Sequence, residues 1–292
     1  MQTSSDSHTQ ATPIGLVAGQ GQLPLLVATG IRAGGHRVCA VGLRDQYDAR
    51  LPGMCDEFGA AGMAQPGRWI RLLRRFGVER AIMVGGVTKA QMHHPLRILQ
   101  HLPDWRAIDL WYRRLRHDRR NAAVLSAVAD TLSRSGITLI DSTTFIQDHL
   151  ADEGDLTSNR PTALQREDIT FAWPVLCQAV ALDIGQSMAV RERDVIAVEA
   201  LEGTDRMIDR AGDLCRRKGW TLLKTASPAH DMRADVPTVG EQTIERLAAA
   251  GGGCLALGAG RVILVDRPKV IAAAERLGVA IVGLAPRPTA GT

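Results

Sequence analysis

The segment from Val198 to Gly240 gathers the side chains best suited to chemistry. It reads VEALEGTD, then an amphipathic stretch, then LLKTASPAHDMRADVPTVG. Carboxylates, a lysine and helix-start signals crowd around short apolar runs, as a phosphate-handling, metal-assisted site requires. Glu199 and Glu202 end a strand, Gly203 turns the chain, and Thr204 can cap the next helix. That helix N-terminus attracts phosphate. Glu202 and Asp205 repel it unless a divalent cation bridges them. Lys224 leaves a second strand, and Asp231 and Asp235 lie in the loop beyond. Thr238 and Glu241 read as a capping box. Asp235 has no part in that cap, so it is free to hold a metal or take a proton from attacking water. The expected catalytic residues are Asp235, Lys224, Glu202 and Asp205, with Asp231 and Asp235 as metal carboxylates.

Two glycine turns offer main-chain donors. Gly19, Gln20, Gly21, Gln22, Leu23 and Pro24 run from a strand into a helix, an arrangement that binds anions. It fails as a dinucleotide fingerprint. Pro24 replaces the third glycine, and no acid stands at the tip of the second strand to hold a ribose. Gly85, Gly86, Val87, Thr88 and Lys89 follow another strand at its C-terminal end, where ligands of open parallel sheets bind. Residues 105–120 interleave six arginines with Trp105, Trp111 and Tyr112. Such a run can seek nucleic-acid phosphates, face an anionic membrane, or simply be a solvated helix face.

Other chemistry is excluded. His93-His94 lacks metal-ligand spacing, and neither H-E-x-x-H nor G-x-S-x-G occurs. The five cysteines have no C-x-x-C spacing and read as free thiols of a reducing compartment. Residues 1–13 are polar, with no apolar core for a signal peptide, and read as a disordered tail. No apolar run reaches membrane-spanning length. The expected location is cytoplasmic. Lys and Arg outnumber acids in residues 1–150, while acids slightly prevail afterwards. That asymmetry suits an anionic ligand between the halves.

The elements that must position these residues alternate. Strands are expected at 14–18, 37–43, 80–84 and 136–141. Helices are expected from about 24 to 33, then at 66–76, 103–116, 121–135 and 144–150. Aromatics make up only 4% of the chain, so Val, Leu, Ile and Ala must fill the core. This pattern predicts an α/β fold with a parallel sheet covered on both faces. Residues 14–150 form the first domain, and 151–170 read as a linker. Residues 171–292 form a second α/β domain with a mixed sheet. Its expected elements are a helix at 171–183 with Pro174 in the first turn, a hairpin of 187–191 and 195–200, and a helix at 205–218. A strand at 221–225, a helix at 239–250, a strand pair of 254–257 and 261–265, a helix at 268–277 and a strand at 279–284 complete it.

Four segments together resemble one family. They are GLVAGQGQLP at 15–24, LDIGQS at 182–187, EALEGTD at 199–205, and Lys224 followed by RADVPTVG at 233–240. The chain is similar, from about residue 14 to 284, to the LpxI type of UDP-2,3-diacylglucosamine pyrophosphatase of lipid A biosynthesis. The resemblance implies an N-terminal Rossmann-like domain, a second domain peculiar to the family, and substrate between the two. It implies Mg²⁺-dependent hydrolysis to UMP and 2,3-diacylglucosamine 1-phosphate. The family's essential carboxylate corresponds to Asp235. Its substrate-contacting loops correspond to Gln20, Gly21 and Gln22, to Gly85, Gly86 and Val87, to Gln186 and Ser187, and to Thr204.

The expected partners are therefore the acylated UDP-sugar and an anionic membrane surface, with the enzyme peripheral on the inner face of the cytoplasmic membrane. Nucleic acid is not expected, and a homodimer is left open. A non-catalytic regulator binding a nucleotide-sugar or nucleic acid is the rival reading. One departure stands out. Arg120, Asn121 and Ala122 occupy the place where the family often has G-D-D, so two acids are missing.

Overall fold

The computed structural model describes residues 11–86, 104–105, 121–227, 231–233 and 236–285. The chain forms two compact units. One ends at Ile146 and also takes in residues 231–233; the other begins at Gln147. The basic run at 106–120, Val87, Asp235 and most of the expected N-terminal tail lie outside the described residues.

The first unit carries a five-stranded parallel sheet. Its strands are β1 (Pro13–Ala18), β2 (Arg37–Leu43), β3 (Glu57–Ala61), β4 (Arg80–Val84) and β5 (Thr138–Leu139), in the order β3-β2-β1-β4-β5. β1 and β2 are almost wholly buried, which is why both read as unbroken apolar runs. Between strands lie α1 (Leu23–Ala33), α2 (Pro66–Arg75) and α3 (Asn121–Ser133). Trp69, Ile70 and Leu73 of α2, with Val128, Ala129 and Leu132 of α3, pack against Val17, Cys39, Val41 and Ala81 on one face of the sheet. α1 buries Val27, Ala28 and Ile31. Pro24 sits in its first turn, where no donor is lost. β3 escapes the sequence pattern because EFGAA is short and interrupted by glycine. The helix expected at 144–150 is only a 3₁₀ turn, Gln147–His149.

The second unit is three-layered around a six-stranded mixed sheet. Its strands are β6 (Gly154–Asp155), β7 (Ser187–Arg191), β8 (Asp194–Val198), β9 (Trp220–Lys224), β11 (Gly252–Gly258) and β13 (Ala280–Leu284), in the order β6-β13-β11-β9-β7-β8. β9, β11 and β13 are parallel; β6, β7 and β8 pair antiparallel with their neighbours. α4 (Ala163–Ala181) covers one face through Ile169, Ala172, Trp173 and Leu176. α5 (Thr204–Leu214), α6 (Glu241–Ala249) and α7 (Arg267–Leu277) cover the other.

Several expectations are corrected here. Residues 151–170 are no linker: they hold β6 and the start of α4. α4 begins eight residues before the expected 171 because Thr162 and Gln165 form a reciprocal capping box. Pro174 consequently lies mid-helix rather than in the first turn. The carbonyl it strands, on Thr170, belongs to an exposed residue within reach of water. Residues 254–257 and 261–265 do not pair. β11 joins the large sheet, and β12 (Ile263–Leu264) pairs in parallel with β10 (Thr238–Val239). Thr238 is thus a strand residue. Gly240 is the N-cap of α6, and its N–H donates to the Thr243 hydroxyl.

Candidate functional site

Alternation along three strands builds the side-chain cluster of the second unit. Leu222 and Ala189 face the layer of α5, α6 and α7, so Lys224 and Ser187, two residues away, face it too. β7 and β9 run antiparallel with Ser187 opposite Lys224, which brings the two to one end of the sheet. Ala197 of β8 faces the same layer, and Glu199, two residues on, is held there as its N–H donates to the Ser187 carbonyl at 2.9 Å. The chain then turns through Gly203, at φ +81°, into α5.

Thr204 is therefore the first residue of α5 and not its cap, which is Gly203. Its hydroxyl accepts from Lys224 Nζ at 2.6 Å and donates to Glu199 Oε2 at 3.0 Å. Ser187 Oγ lies 3.4 Å from the same hydroxyl. Lys224 is only 5% exposed, and an ammonium so buried needs partners of this kind. The start of α5 has no side-chain cap, so its first N–H groups add to the positive field. Gln186 is placed alongside by its carbonyl, which accepts from Thr225 N at 3.0 Å.

Among the described residues, Glu199 is the carboxylate joined to this cluster, through the Thr204 hydroxyl. Glu202 accepts from Ala200 N at 3.1 Å and pairs with Arg210 at 2.5 Å. Its own main-chain donor and Arg210 hold its carboxyl below the usual range. Asp205 is exposed on the first turn of α5. The signal for Glu199 was present: it continues the alternation of β8, whereas Glu202 lies past the turn.

The first unit builds a different feature, from main chain. Its strand order reverses between β1 and β4, the switch point at which open α/β sheets bind ligands. There the two glycine turns meet. Gly19 N donates to Val84 O at 2.9 Å, Gln20 N to Gly86 O at 2.8 Å, and Gly86 N to Gln20 O at 3.1 Å. A Cβ on Gly19 would stand 2.5 Å from Gly86 O, and one on Gly85, at φ +96°, would stand 2.8 Å from Gln20 O. Gly21 and Gly86 face open space. Gln22 enters α1 in a helical conformation without a side-chain cap, leaving the start of that helix open to an anion.

Residues 231–233 form a tight clamp. Arg233 donates to both oxygens of Asp231, through Nε at 2.8 and 3.0 Å and through Nη2 at 2.5 Å. The carboxylate beside it raises the Arg233 pKa further. Among the described residues no three His, Cys, Asp or Glu side chains gather to hold a metal. Mg²⁺ commonly takes only one or two carboxylates and completes its shell with substrate phosphates and water. Asp231 would serve such an ion only while shared with Arg233. A groove between α5 and α6 is a poorer phosphate site: it is lined by Asp209, Asp213 and Glu245, and its Arg246 is paired to Asp209 at 2.6 Å.

Comparison with known proteins decides the family. Residues 13–149 match the LpxI N-terminal domain, and residues 152–282 match the LpxI C-terminal domain. The chain belongs to the LpxI family. It is 31% identical over 284 residues to the UDP-2,3-diacylglucosamine pyrophosphatase LpxI of Caulobacter vibrioides, covering 94% of this chain and 98% of that one. Both LpxI domains are thus present, and all four motifs lie within the matched span. Solved structures overlap weakly. A biotin carboxylase subunit of pyruvate carboxylase shares 13% identity over 64% of this chain and 35% of that chain, with a TM-score of 0.26. The biotin carboxylase domain of Hydrogenobacter thermophilus 2-oxoglutarate carboxylase shares 14% over 71% and 42%, at 0.22. The chain spans less than half the length of either.

Proposed function

We propose that this LpxI-family chain hydrolyses the diphosphate of UDP-2,3-diacylglucosamine to UMP and 2,3-diacylglucosamine 1-phosphate, a step of lipid A biosynthesis. The carrying observation is the buried Lys224 ammonium, bonded to Thr204 at the uncapped start of α5. It supplies fixed positive potential and oriented donors without reorganisation, as a dianionic diphosphate requires.

In this reading Lys224 neutralises charge as it develops on the phosphate oxygens. Glu199 accepts the Thr204 hydroxyl hydrogen bond and so fixes its orientation; Ser187 lies beside it. Gln186 completes that edge. Gln20, Gly21, Gln22, Gly85, Gly86 and Val87 hold the uridylate, with the start of α1 turned to its phosphate. Water attacks one phosphorus, the bridging P–O bond breaks, and the departing phosphate keeps the electron pair. Asp235 positions that water and receives its proton. Glu202 and Asp205 support the sugar side. Asp235 and Asp231 would be the carboxylates that hold Mg²⁺, which would supply further charge neutralisation.

The acylated substrate places the protein at a membrane surface. In support, Leu182, Ile184 and Leu201 are exposed, the last completely, in segments flanking the lysine cluster. Gly185, next to Ile184, abuts the backbone of Glu199, two residues before Leu201. No helix among the described residues is long and apolar enough to cross a membrane.

Phosphorus NMR of products formed from UDP-2,3-diacylglucosamine in ¹⁸O water, with and without Mg²⁺, tests the reaction. UMP and the sugar 1-phosphate are expected, with label in only one of them. Asp235→Ala is expected to abolish turnover while retaining substrate binding. UMP release by that variant at the unsubstituted rate would refute the assignment.

A further inference from the structure

Ser142 makes an arrangement that no part of the reaction scheme above uses. It follows β5, whose end is shaped by Asp141. Thr143 N and Oγ1 donate to Asp141 Oδ1 at 2.7 and 2.6 Å, and Thr144 Oγ1 donates to the Asp141 carbonyl at 2.6 Å. Ser142 is held between these bonds and is 1% exposed. Both of its donors converge on one acceptor. Ser142 N and Oγ donate to the Met232 carbonyl, at 3.0 and 2.7 Å, across 90 residues of sequence.

Met232 is also the apex of the Asp231–Arg233 clamp, in which Arg233 N donates to Asp231 Oδ1 at 3.1 Å. Its peptide is thus fixed from within by the clamp and from outside by Ser142. Asp235 follows three residues later in the sequence. Three residues span at most about 10 Å, so the anchored Met232 peptide lies within that length of chain from Asp235. A displacement of about 1 Å in a reacting group can cost about 10²-fold in rate.

We infer that Ser142 is a positioning residue for catalysis: it anchors the loop that carries Asp235 through the Met232 carbonyl. This rests on the role given to Asp235 above. Ser142 does not touch substrate in this account. Its loss is therefore felt in kcat and not in KM, and a hydroxyl at the position is what matters.

The test compares the unsubstituted protein, Asp235→Asn, Ser142→Ala and Ser142→Thr, each checked for an unchanged melting temperature, in steady-state release of UMP. For Ser142→Ala a fall in kcat of about 10- to 100-fold is expected, with KM within about twofold. Amide hydrogen exchange at Met232 and Arg233 should quicken in the same variant. Ser142→Thr, which keeps the hydroxyl, should recover most of kcat. Ser142→Ala with normal kcat, or with loss confined to KM, overturns the inference while Asp235→Asn remains dead. If Asp235→Asn is fully active, the reading of Asp235 fails instead. If Ser142→Thr fails to fold, Ser142→Cys takes its place: an intermediate kcat supports the anchor, and a kcat above that of the serine protein opposes it.

Discussion

The glycine crevice of the first unit and the lysine cluster of the second both lie at the C-terminal ends of parallel strands, yet they are made of opposite materials. The crevice is main chain throughout: Gly19 bonds to Val84, Gln20 and Gly86 bond to each other, and glycine is needed because any Cβ on Gly19 or Gly85 would collide with a carbonyl. The cluster is side chain throughout: Lys224, Thr204, Glu199 and Ser187 converge from two strands, a loop and a helix start. A main-chain site recognises a shape of anion and is lost by adding atoms. A side-chain site supplies charge and is lost by removing them.

The largest effect should come from removing the charge. Lys224→Met is expected to lower kcat/KM by about 10²- to 10³-fold, the usual loss for one preorganised electrostatic donor. Lys224→Arg should not restore it, because a site 5% exposed has no room for the larger planar group. A steady-state assay reads both. A mild Lys224→Met phenotype would move the chemistry to the crevice.

Adding atoms to the crevice comes next. Gly85→Ala pairs a strained φ of +96° with a Cβ 2.8 Å from Gln20 O. It should cost about 1–3 kcal/mol in urea melts and raise KM. Gly86→Ala, next along the chain, meets nothing within 4 Å and should leave the urea melt unchanged. Equal effects at the two positions would break the main-chain account.

A smaller effect separates the two glutamates. Glu199→Ala frees the Thr204 hydroxyl and should lower kcat/KM about tenfold, the size of one lost hydrogen bond to a charged group. Glu202→Ala should lower kcat/KM by less than Glu199→Ala does, since Glu202 pairs with a solvent-facing Arg210. The reverse ranking would make Glu202 the more important of the two.

The smallest effect lies away from both features. Asp168 of α4 is fully buried; one oxygen accepts from Arg193 N at 2.7 Å and the other has no hydrogen-bond partner among the described residues. Burial raises its pKa in the folded protein, so the folded state holds the proton more tightly than the unfolded chain. Stability is then lost as pH rises from the unfolded carboxyl value through the raised folded one. The melting temperature of Asp168→Asn relative to the unsubstituted protein should therefore climb between pH 4 and pH 8. A difference that stays flat with pH, or falls, contradicts the burial argument.

These comparisons show where sequence sufficed. The apolar runs of β1, β2 and β4, the glycine turns after them, and the alternation of strands and helices were legible because burial on both faces of a parallel sheet leaves a continuous hydrophobic signature. The start of α4 was not: the proline at 174 pointed to a first turn near 171, whereas the Thr162–Gln165 box starts the helix at Ala163. β3 and β10 were not, because two to five residues with glycine or polar neighbours carry no period. The choice between Glu199 and Glu202 turned on where β8 ends, and strand ends are set by pairing partners that a sequence does not display.

By itself, then, the sequence determined the α/β class, the two glycine turns, the four motifs and the residues able to handle phosphate. Those are local properties: periodicity, turn chemistry and side-chain type. Only the tertiary structure decided that Ser187 stands opposite Lys224, that Thr204 begins α5 and is locked between Lys224 and Glu199, and that Ser142 grips Met232 from 90 residues away. Register and long-range hydrogen bonds depend on the summed packing of whole layers, so no short stretch of chain encodes them alone.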